Sequence, residues 1–483
     1  MRNLFVFLIL LIICFLMTPV FCQTTKHKKA LSLNEAILLA VRTNPNVVST
    51  RLGYLSQKFN LRVQEWQFEP HFSFQSSIIQ TRTGTPNNPI VNSHTWNATP
   101  AATLVTPIGT QLNLTMNNQK TSHYNPSLSL QVIQPLMKGF GPAVVESALY
   151  NAQDSVEISK LGIEGSLRTT ITNVINGYLD VVMAERTMKI DEEALKRAEL
   201  SVTQTRLFIK AGHKAGNELV TVEANVASAK SQLENDRNLL LQARYALLAA
   251  IGIDPNTEVD FESLDVMTLI QKYHLPTLED AKHLILKNDI QYQVDNITLH
   301  GSTSRNLLIA NDNTRWQLNV TAGATTGGGS GGGQNAGVDS LFNGANQSQN
   351  IGLTLQIPID DQLAKQAVVN AKIALQQAEL GLKQEKWNKQ TNAINGWNAV
   401  ISAERALKFA EDAEKLQEKT YDVGYQKYLH GLIDSLELQS AQLQLIQSQQ
   451  TLLNTKISYL KALVNMDLLI GQTLSTWDVK VRL

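Results

Sequence analysis

From Pro142 to about Ala211 the chain has no internal proline, and Ala, Leu, Glu, Lys and Gln, good helix formers, recur throughout. A helix of that length would measure on the order of 100 Å. The run breaks at Ala211-Gly212-His213-Lys214-Ala215-Gly216-Asn217, where two glycines can end one helix and Asn217 can cap the next. After it, Leu219, Val222, Val226, Ala229, Leu233, Asp236, Leu240, Ala243, Leu247 and Ala250 recur in alternating steps of three and four, a coiled-coil seam. The spacing predicts one long helical hairpin over 142–252.

The order of events occurs twice. Ser32-Leu33-Asn34-Glu35 and Thr277-Leu278-Glu279-Asp280 each open a helix in capping-box form. Each is followed by a helix of about three dozen residues, strand-like segments, a proline, a very long helix, a glycine break and a return helix. The domains expected are a leader over 1–22, a first repeat over 23–253 with strands within 70–134 and the hairpin 142–252, and a connecting segment over 254–274. A second repeat follows over 275–470, with strands within 316–359 and a hairpin over 361–466, and then a tail over 471–483. The last helix has its own seam at Leu436, Gln439, Leu443, Ile446, Gln450, Leu453, Ile457, Leu460 and Val464. In each repeat the two shorter helices placed end to end match the long one, which predicts a uniform rod.

Residues 71–78, 112–116, 128–132, 316–322 and 351–358 alternate apolar and polar positions. Residues 83–100, rich in Thr, Asn, Pro and Gly, read as loop. Four good strands, at most six, are too few for one chain to close a membrane barrel, which needs about eight. Either several chains share a barrel, the reading favoured here, or the strands form a small soluble sheet.

Composition then removes function classes. Arg2, the apolar run Leu4–Met17 and the segment ending at Cys22 have the layout of a secretory signal peptide, with cleavage after Cys22 and no lipid. Both cysteines, Cys14 and Cys22, fall in that segment. Lys+Arg and Asp+Glu both number 42, so no basic footprint for nucleic acid exists. No His-Glu-x-x-His, Gly-x-Ser-x-Gly or Walker lysine is present, no histidine pair has metal spacing, and no cofactor is expected. The glycine run 327–333 lacks the Lys-Ser/Thr of a phosphate loop and reads as a surface loop. His213 and His430 read as solvated turn residues.

Taken in order, Leu33-Asn34-Glu35-Ala36 with Asn44-Pro45, Gln134-Pro135-Leu136, the turn within Val202–Ala224 and Ile357-Pro358 resemble the outer-membrane efflux proteins, the TolC-like channels. The resemblance implies a mainly α protein with a membrane β-barrel, four strands from each of three protomers making twelve. It implies a homotrimer in outer-membrane lipid whose helices form an α-barrel across the periplasm. Its partners would be a periplasmic adaptor and an inner-membrane transporter, and it would conduct small molecules or polypeptide passively, as in efflux or type I secretion, with no enzymatic activity. The same resemblance assigns a periplasmic constriction to Asp434 and Glu437, with Tyr421, Asn217, Glu218 and Lys427 around it, and adaptor-contact tips to Gly212, Ala215, Gly216, Gly424 and Gly431. Simple helix-end stabilisation for the two acids and a plain left-handed cap for the glycines are the competing readings. The chain departs from the family where residues 94–119 add strand-like material to the first copy, which bears on the strand count; at the second tip Gln426, beside Lys427, stands where the family carries an arginine, and Asp434 falls about four residues late. A periplasmic adaptor or a structural coiled-coil rod are the alternatives; neither explains paired strand segments at matched places in two copies.

Overall fold

The computed structural model describes residues 30–84, 90–121, 123–262, 264–328, 337–343 and 346–480. The proposed leader and all but the start of the glycine run 327–333 lie outside the described residues.

Ser32 caps helix α1 (Leu33–Thr43) with both limbs of the capping box in place: the Ser32 hydroxyl accepts from the Glu35 N–H at 3.3 Å, and the Glu35 carboxylate accepts from the Ser32 N–H at 3.2 Å. The single helix expected over this segment is two, because Asn44-Pro45 interrupts it. Asn44 caps α2 (Pro45–Trp66), accepting from Asn46 and Val47, with Pro45 at the first helical position. In the second repeat Thr277 caps α5 (Leu278–Asn288) and Asp289 caps α6 (Ile290–Thr298) in the same way. A π-helical turn, Leu299–Thr303, then leads into α7 (Ser304–Asn313).

The long elements form as expected. Helix α3 (Ser147–Lys210) pairs with α4 (Asn217–Ile251), and α8 (Gln362–Leu429) pairs with α9 (Ser435–Leu469). Gly252 ends α4 at φ +86°, and a Cβ there would lie 2.7 Å from the Thr43 carbonyl oxygen, so a side chain has no room. That close approach lets Asn44 donate to the Ala250 carbonyl and Thr43 to the Ile251 carbonyl, tying α1 to the end of α4.

The main core gathers Ile37, Ile171, Ile175, Leu179, Leu247, Ile251, Ile457 and Leu460 from α1, α3, α4 and α9. Tyr178 is buried within it, and its hydroxyl bonds to the carbonyls of Leu31 and Glu262 at 3.1 and 2.6 Å. The α4 seam is buried or half-buried along its length. The α9 seam departs from expectation towards the tip, where Leu436 and Leu443 are exposed and Leu438 and Leu445 are buried instead. There α9 serves two neighbours, α3 and α8, and a single seam can face only one of them.

The strand count also differs. The sheet has six strands, not the four the resemblance implies: β1 (His71–Thr83), β2 (Val91–Val105), β3 (Gln111–Lys120), β4 (Tyr124–Pro135), β5 (Gln317–Gly327) and β6 (Gln347–Gln356). All neighbours are antiparallel and lie in chain order. The segment read as loop, 83–100, supplies the end of β1 and most of β2. Its Asn, Pro and Gly carry little strand propensity, but the β2 part of the segment is paired on both sides, and context outweighs propensity in sheets. Pro100 sits at the one gap in the β2–β3 ladder, between Ala98↔Asn118 and Ala101↔Thr115, where its missing N–H leaves no bond unmade.

The register separates the two faces over the half of the sheet nearer the helices; at and beyond the level of Trp96 the first face also carries Arg82, Asn92, His94 and Lys120. One face carries Phe72, Phe74 and Ile78 of β1, Trp96 and Leu104 of β2, and Leu112, Leu114 and Met116 of β3. It continues through Leu128, Leu130 and Val132 of β4, Leu318, Val320 and Ala322 of β5, and Ile351, Leu353 and Leu355 of β6. The other face is Ser, Thr, Asn, Gln and Gly at most positions, and none of its described strand residues is Asp, Glu, Lys or Arg. The β2–β3 turn, residues 106–110, rests on the start of the helical region: Gly141 donates to the Ile108 carbonyl at 3.2 Å. No helix among the described residues is long and apolar enough to cross a membrane.

Candidate functional site

The two hairpin tips are built on one device. Gly212, at φ +75°, donates to the Ile209 carbonyl while His213 donates to Phe208. Gly431, at φ +72°, donates to Tyr428 while Leu432 donates to Lys427. Both are left-handed caps with the doubled back-bond that satisfies the last free carbonyls of the helix. A Cβ at Gly212, Gly216 or Gly431 would meet nothing within 4 Å, so these positions are open. Ala215, His213 and His430 are exposed there too.

Several of the expected placements change. Asn217 does not cap α4; Gly216 occupies the cap, and Asn217 is the exposed first helical residue. Gly424 is not in a turn, because α8 continues to Leu429, and it faces Ala441 of α9 instead. Tyr421 lies within α8. It is half-buried and stacks on Tyr425, ring centroids 6.2 Å apart, and burial holds its hydroxyl above the ordinary tyrosine range. Asp434 caps α9, accepting from the Glu437 N–H at 2.8 Å. Asp434, Glu437 and Lys427 are all exposed, with Lys427 and Glu437 on one groove between α8 and α9.

The residue that joins the tips is one that sequence reasoning did not single out. The Lys214 side chain is only 9% exposed, and its ammonium lies 3.0 Å from the Glu218 carboxylate and 4.1 Å over the Tyr428 ring. The same Glu218 oxygen accepts from the Ser435 hydroxyl at 3.0 Å, so one carboxylate connects both hairpins. Tyr428 is fully buried and its hydroxyl bonds to Thr205 at 2.9 Å; Gln204 donates to the Tyr425 hydroxyl at 2.6 Å. The signal was present in the sequence: Tyr421, Tyr425 and Tyr428 fall at spacings of four and three, one aromatic stripe on α8.

Behind the tips, α3, α4 and α9 line a cavity of about 510 Å³ of mixed character, with Asn225, Gln232 and Gln442 beside Val222, Leu438 and Ile446. Gln439 donates to Asn225 and Gln442 to the Ala194 carbonyl. At its upper end Asp191 of α3 faces Asp236 of α4, both nearly fully buried. Burial, with the neighbouring Asp236, pushes the Asp191 carboxyl up to about 7, against the pull of Gln450 and Arg197. Gln450 of α9 donates to Asp191, and Gln232 to Asp236.

This arrangement holds helices to helices. Among the described residues no three His, Cys, Asp or Glu converge as metal ligands.

The sequence and the fold both match known proteins. The family model described as outer membrane efflux protein matches residues 91–253 and 314–472. No curated protein sequence matches the chain. Among solved structures, the open state of the MtrE outer membrane channel of Neisseria gonorrhoeae superposes with a TM-score of 0.69 at 16% identity, over 92% of this chain and 89% of that one. The CmeC outer membrane channel of Campylobacter jejuni gives 0.66 at 15%, over 91% and 86%. The outer membrane protein VceC of Vibrio cholerae gives 0.66 at 14%, over 92% and 95%.

Proposed function

We propose that this chain, which belongs to the outer membrane efflux protein family and so is a channel protein and not an enzyme, assembles as a homotrimer whose sheets close into one barrel in the outer membrane and whose hairpins form a tunnel across the periplasm. The two-repeat division at 23–253 and 275–470 is part of this reading. Solutes, small molecules or polypeptide, pass without chemistry from an inner-membrane transporter and its periplasmic adaptor to the outside.

One observation carries the proposal most directly. A single sheet has one apolar face and one uncharged polar face, both edge strands unpaired, and stands at the end of helices about 100 Å long. In a soluble protein the apolar face would need a second sheet to cover it, and the described chain supplies none. Lipid outside and water inside suit both faces, and closure removes the edges. Trp96 and Tyr124 end the apolar band away from the helices, and Phe72 and Trp316 end it near them, where aromatic girdles belong.

At the other end, Asp434 and Glu437 stand exposed at the second tip, where three copies would bring six carboxylates around one axis. The exposed turns at Gly212, Ala215, Gly216 and Gly431 are the surfaces offered to the adaptor, with Gly424 giving close approach of α8 to α9 behind them. Purified protein in a planar bilayer should conduct, and should run in gels as a heat-sensitive trimer. A water-soluble monomer would overturn the reading. Cysteines at Ala211 and Ala215 should crosslink to the adaptor in cells; a functional variant that does not crosslink would remove the tip assignment.

A further inference from the structure

We infer that the barrel is eighteen-stranded, not twelve-stranded, and that it opens to the outside as a wide pore with an uncharged polar wall. The inference rests on the shared-barrel reading above and concerns what each copy puts into that barrel.

Strands β2 and β3 are not a decoration beside the sheet. Their pairing with β1 and β4 is continuous, ten residues of β3 opposing ten of β4 from Gln111↔Ile133 to Lys120↔Tyr124. They carry the apolar band across without a gap, and their polar positions, Asn97, Thr103, Asn113 and Thr115, continue the uncharged face. They therefore satisfy the same two-faced requirement as β4 and β5.

Six strands cannot close alone, but their parity allows closure with a second copy. Neighbours are antiparallel throughout and the number is even, so β6 runs opposite to β1. The free edge of β6 can thus pair with the free edge of the next copy's β1 in the sense the sheet already uses. The outer edges of β1 and β6 have no strand partner among the described residues, and the apolar face beside them is bare, with Phe72 and Ile351 83% and 87% exposed.

Circumference is compatible with that count. With strands about 4.8 Å apart and tilted about 40°, eighteen make a ring about 36 Å across and twelve a ring about 24 Å across. In the rod each copy places four helices abreast: α3, α8 and the two stacked sets α1, α2 with α4 and α5–α7 with α9. Twelve helices at 8–10 Å spacing make a ring of about 31–38 Å. An eighteen-stranded ring of that size could stand on the helical ring, and within each copy the 106–110 turn already rests on Gly141. A barrel of sixteen to eighteen strands leaves an aqueous channel. With no fixed charge on its described wall, this one would discriminate solutes by size and weakly by charge, and bulky hydrated solutes are the class it suits.

The test is a single-cysteine scan in outer-membrane preparations, read against the unmodified parent, because Cys14 and Cys22 both precede the described residues. Thiols at Asn113, Thr115 and Asn117 of β3 should react with a membrane-impermeant maleimide, and thiols at Leu112, Leu114 and Met116 should be shielded. The same scan on β4, with Ser129 and Gln131 against Leu128 and Leu130, is the internal reference. Alternation in both strands supports the inference. Alternation in β4 without β3 overturns it and leaves the shared barrel standing; alternation in neither overturns the channel reading itself. Electron microscopy of the unmodified protein in detergent gives the second measurement: a ring near 36 Å supports eighteen strands, and one near 24 Å rejects them.

Discussion

Helices α3 and α8 occupy the same place in the two repeats and are nearly equal in length, 64 and 68 residues, yet α3 buries eighteen residues and α8 only four. Helix α3 is flanked on several sides within the chain, by α1 and α2, by α4 and by α9. Helix α8 has α9 on one side and α5–α7 on the other, and the rest of its surface is bare. That surface is not polar: Leu380, Trp387 and Phe409 are 67%, 50% and 72% exposed. On the far edge of the protomer α2 is equally bare, with Leu52, Leu55 and Phe59 exposed on one face at spacings of three and four. Local propensity made the two long helices alike. What differs is whether the partner surface lies in the same chain, and two unmatched apolar edges are what a ring of copies would bring together.

The sharpest way to break this contrast is to charge the bare edges. Trp387→Glu together with Phe59→Glu should leave a folded protomer and abolish the heat-sensitive trimer, because a carboxylate at each edge would be desolvated without a partner. Native mass in detergent reads the outcome. A trimer that persists would mean that something other than a second copy covers α8.

Removing core from α3 should act differently. Ile171 is fully buried in the main cluster, and Ile171→Ala should cost about 2–5 kcal/mol of protomer stability. Val369 on the bare face of α8 is 54% exposed, and its replacement by Ala should change protomer stability by less than about 0.5 kcal/mol. Denaturant midpoints of the two variants, measured on the dissociated protomer, give the comparison; equal losses would contradict the burial difference.

The third effect is a pH slope. An exposed aspartate loses its proton near pH 4, whereas burial and Asp236 hold the Asp191 proton up to about pH 7. The folded chain keeps a proton that the unfolded chain sheds between those values. Stability is therefore full below pH 4 and falls as pH rises through 7. Asp191→Asn needs no proton to sit beside Asp236, so it should remove that slope. Its gain over the parent should be absent at pH 4 and grow as the pH is raised through 7. Thermal melts at the two pH values decide it, and parallel curves for parent and variant would show that the pair does not titrate there.

The sequence made the periodic elements legible and the pairings less so. The helical hairpins, the two capping boxes and the clearest strands follow from patterns of two and three-to-four that need no tertiary information. The β2 segment was only partly legible: residues 94–119 show as additional strand-like material, but the Asn, Pro and Gly of 83–100 read as loop until strands on both sides satisfy their backbone. The α9 seam was legible where one neighbour claims it, at Leu453, Ile457 and Leu460, and illegible at Leu436 and Leu443, where two compete. At the tips, glycines announced the turns, but the join across them did not show. Lys214, Glu218 and Ser435 are ordinary surface types whose meeting depends on how two hairpins lie side by side.

The smallest expected effect on stability comes at the second tip, and there it separates two readings of the same acids. Asp434 is the cap of α9 and Glu437 lies in its first turn, so both are placed where the helix dipole favours negative charge. That alone would explain them. Asn is as good a cap as Asp, so Asp434→Asn keeps the bond to the Glu437 N–H and removes only the charge. With Glu437→Gln the double variant should lose from a few tenths to about 1 kcal/mol, the value of two first-turn charges. If the acids serve only the helix, conduction is untouched. If three copies place six carboxylates around the axis, the field they make favours cations and binds divalent ions, and its removal should lower cation selectivity and weaken divalent block from the periplasmic side. The first tip supplies the contrast, since Glu218 is already paired with Lys214 and Ser435 and has less charge to offer the axis. Reversal potentials in a salt gradient for the double variant, for Glu218→Gln and for the parent decide the assignment. A shift in the double variant alone would place the filter at the second tip, and no shift in either would leave Asp434 and Glu437 as helix caps.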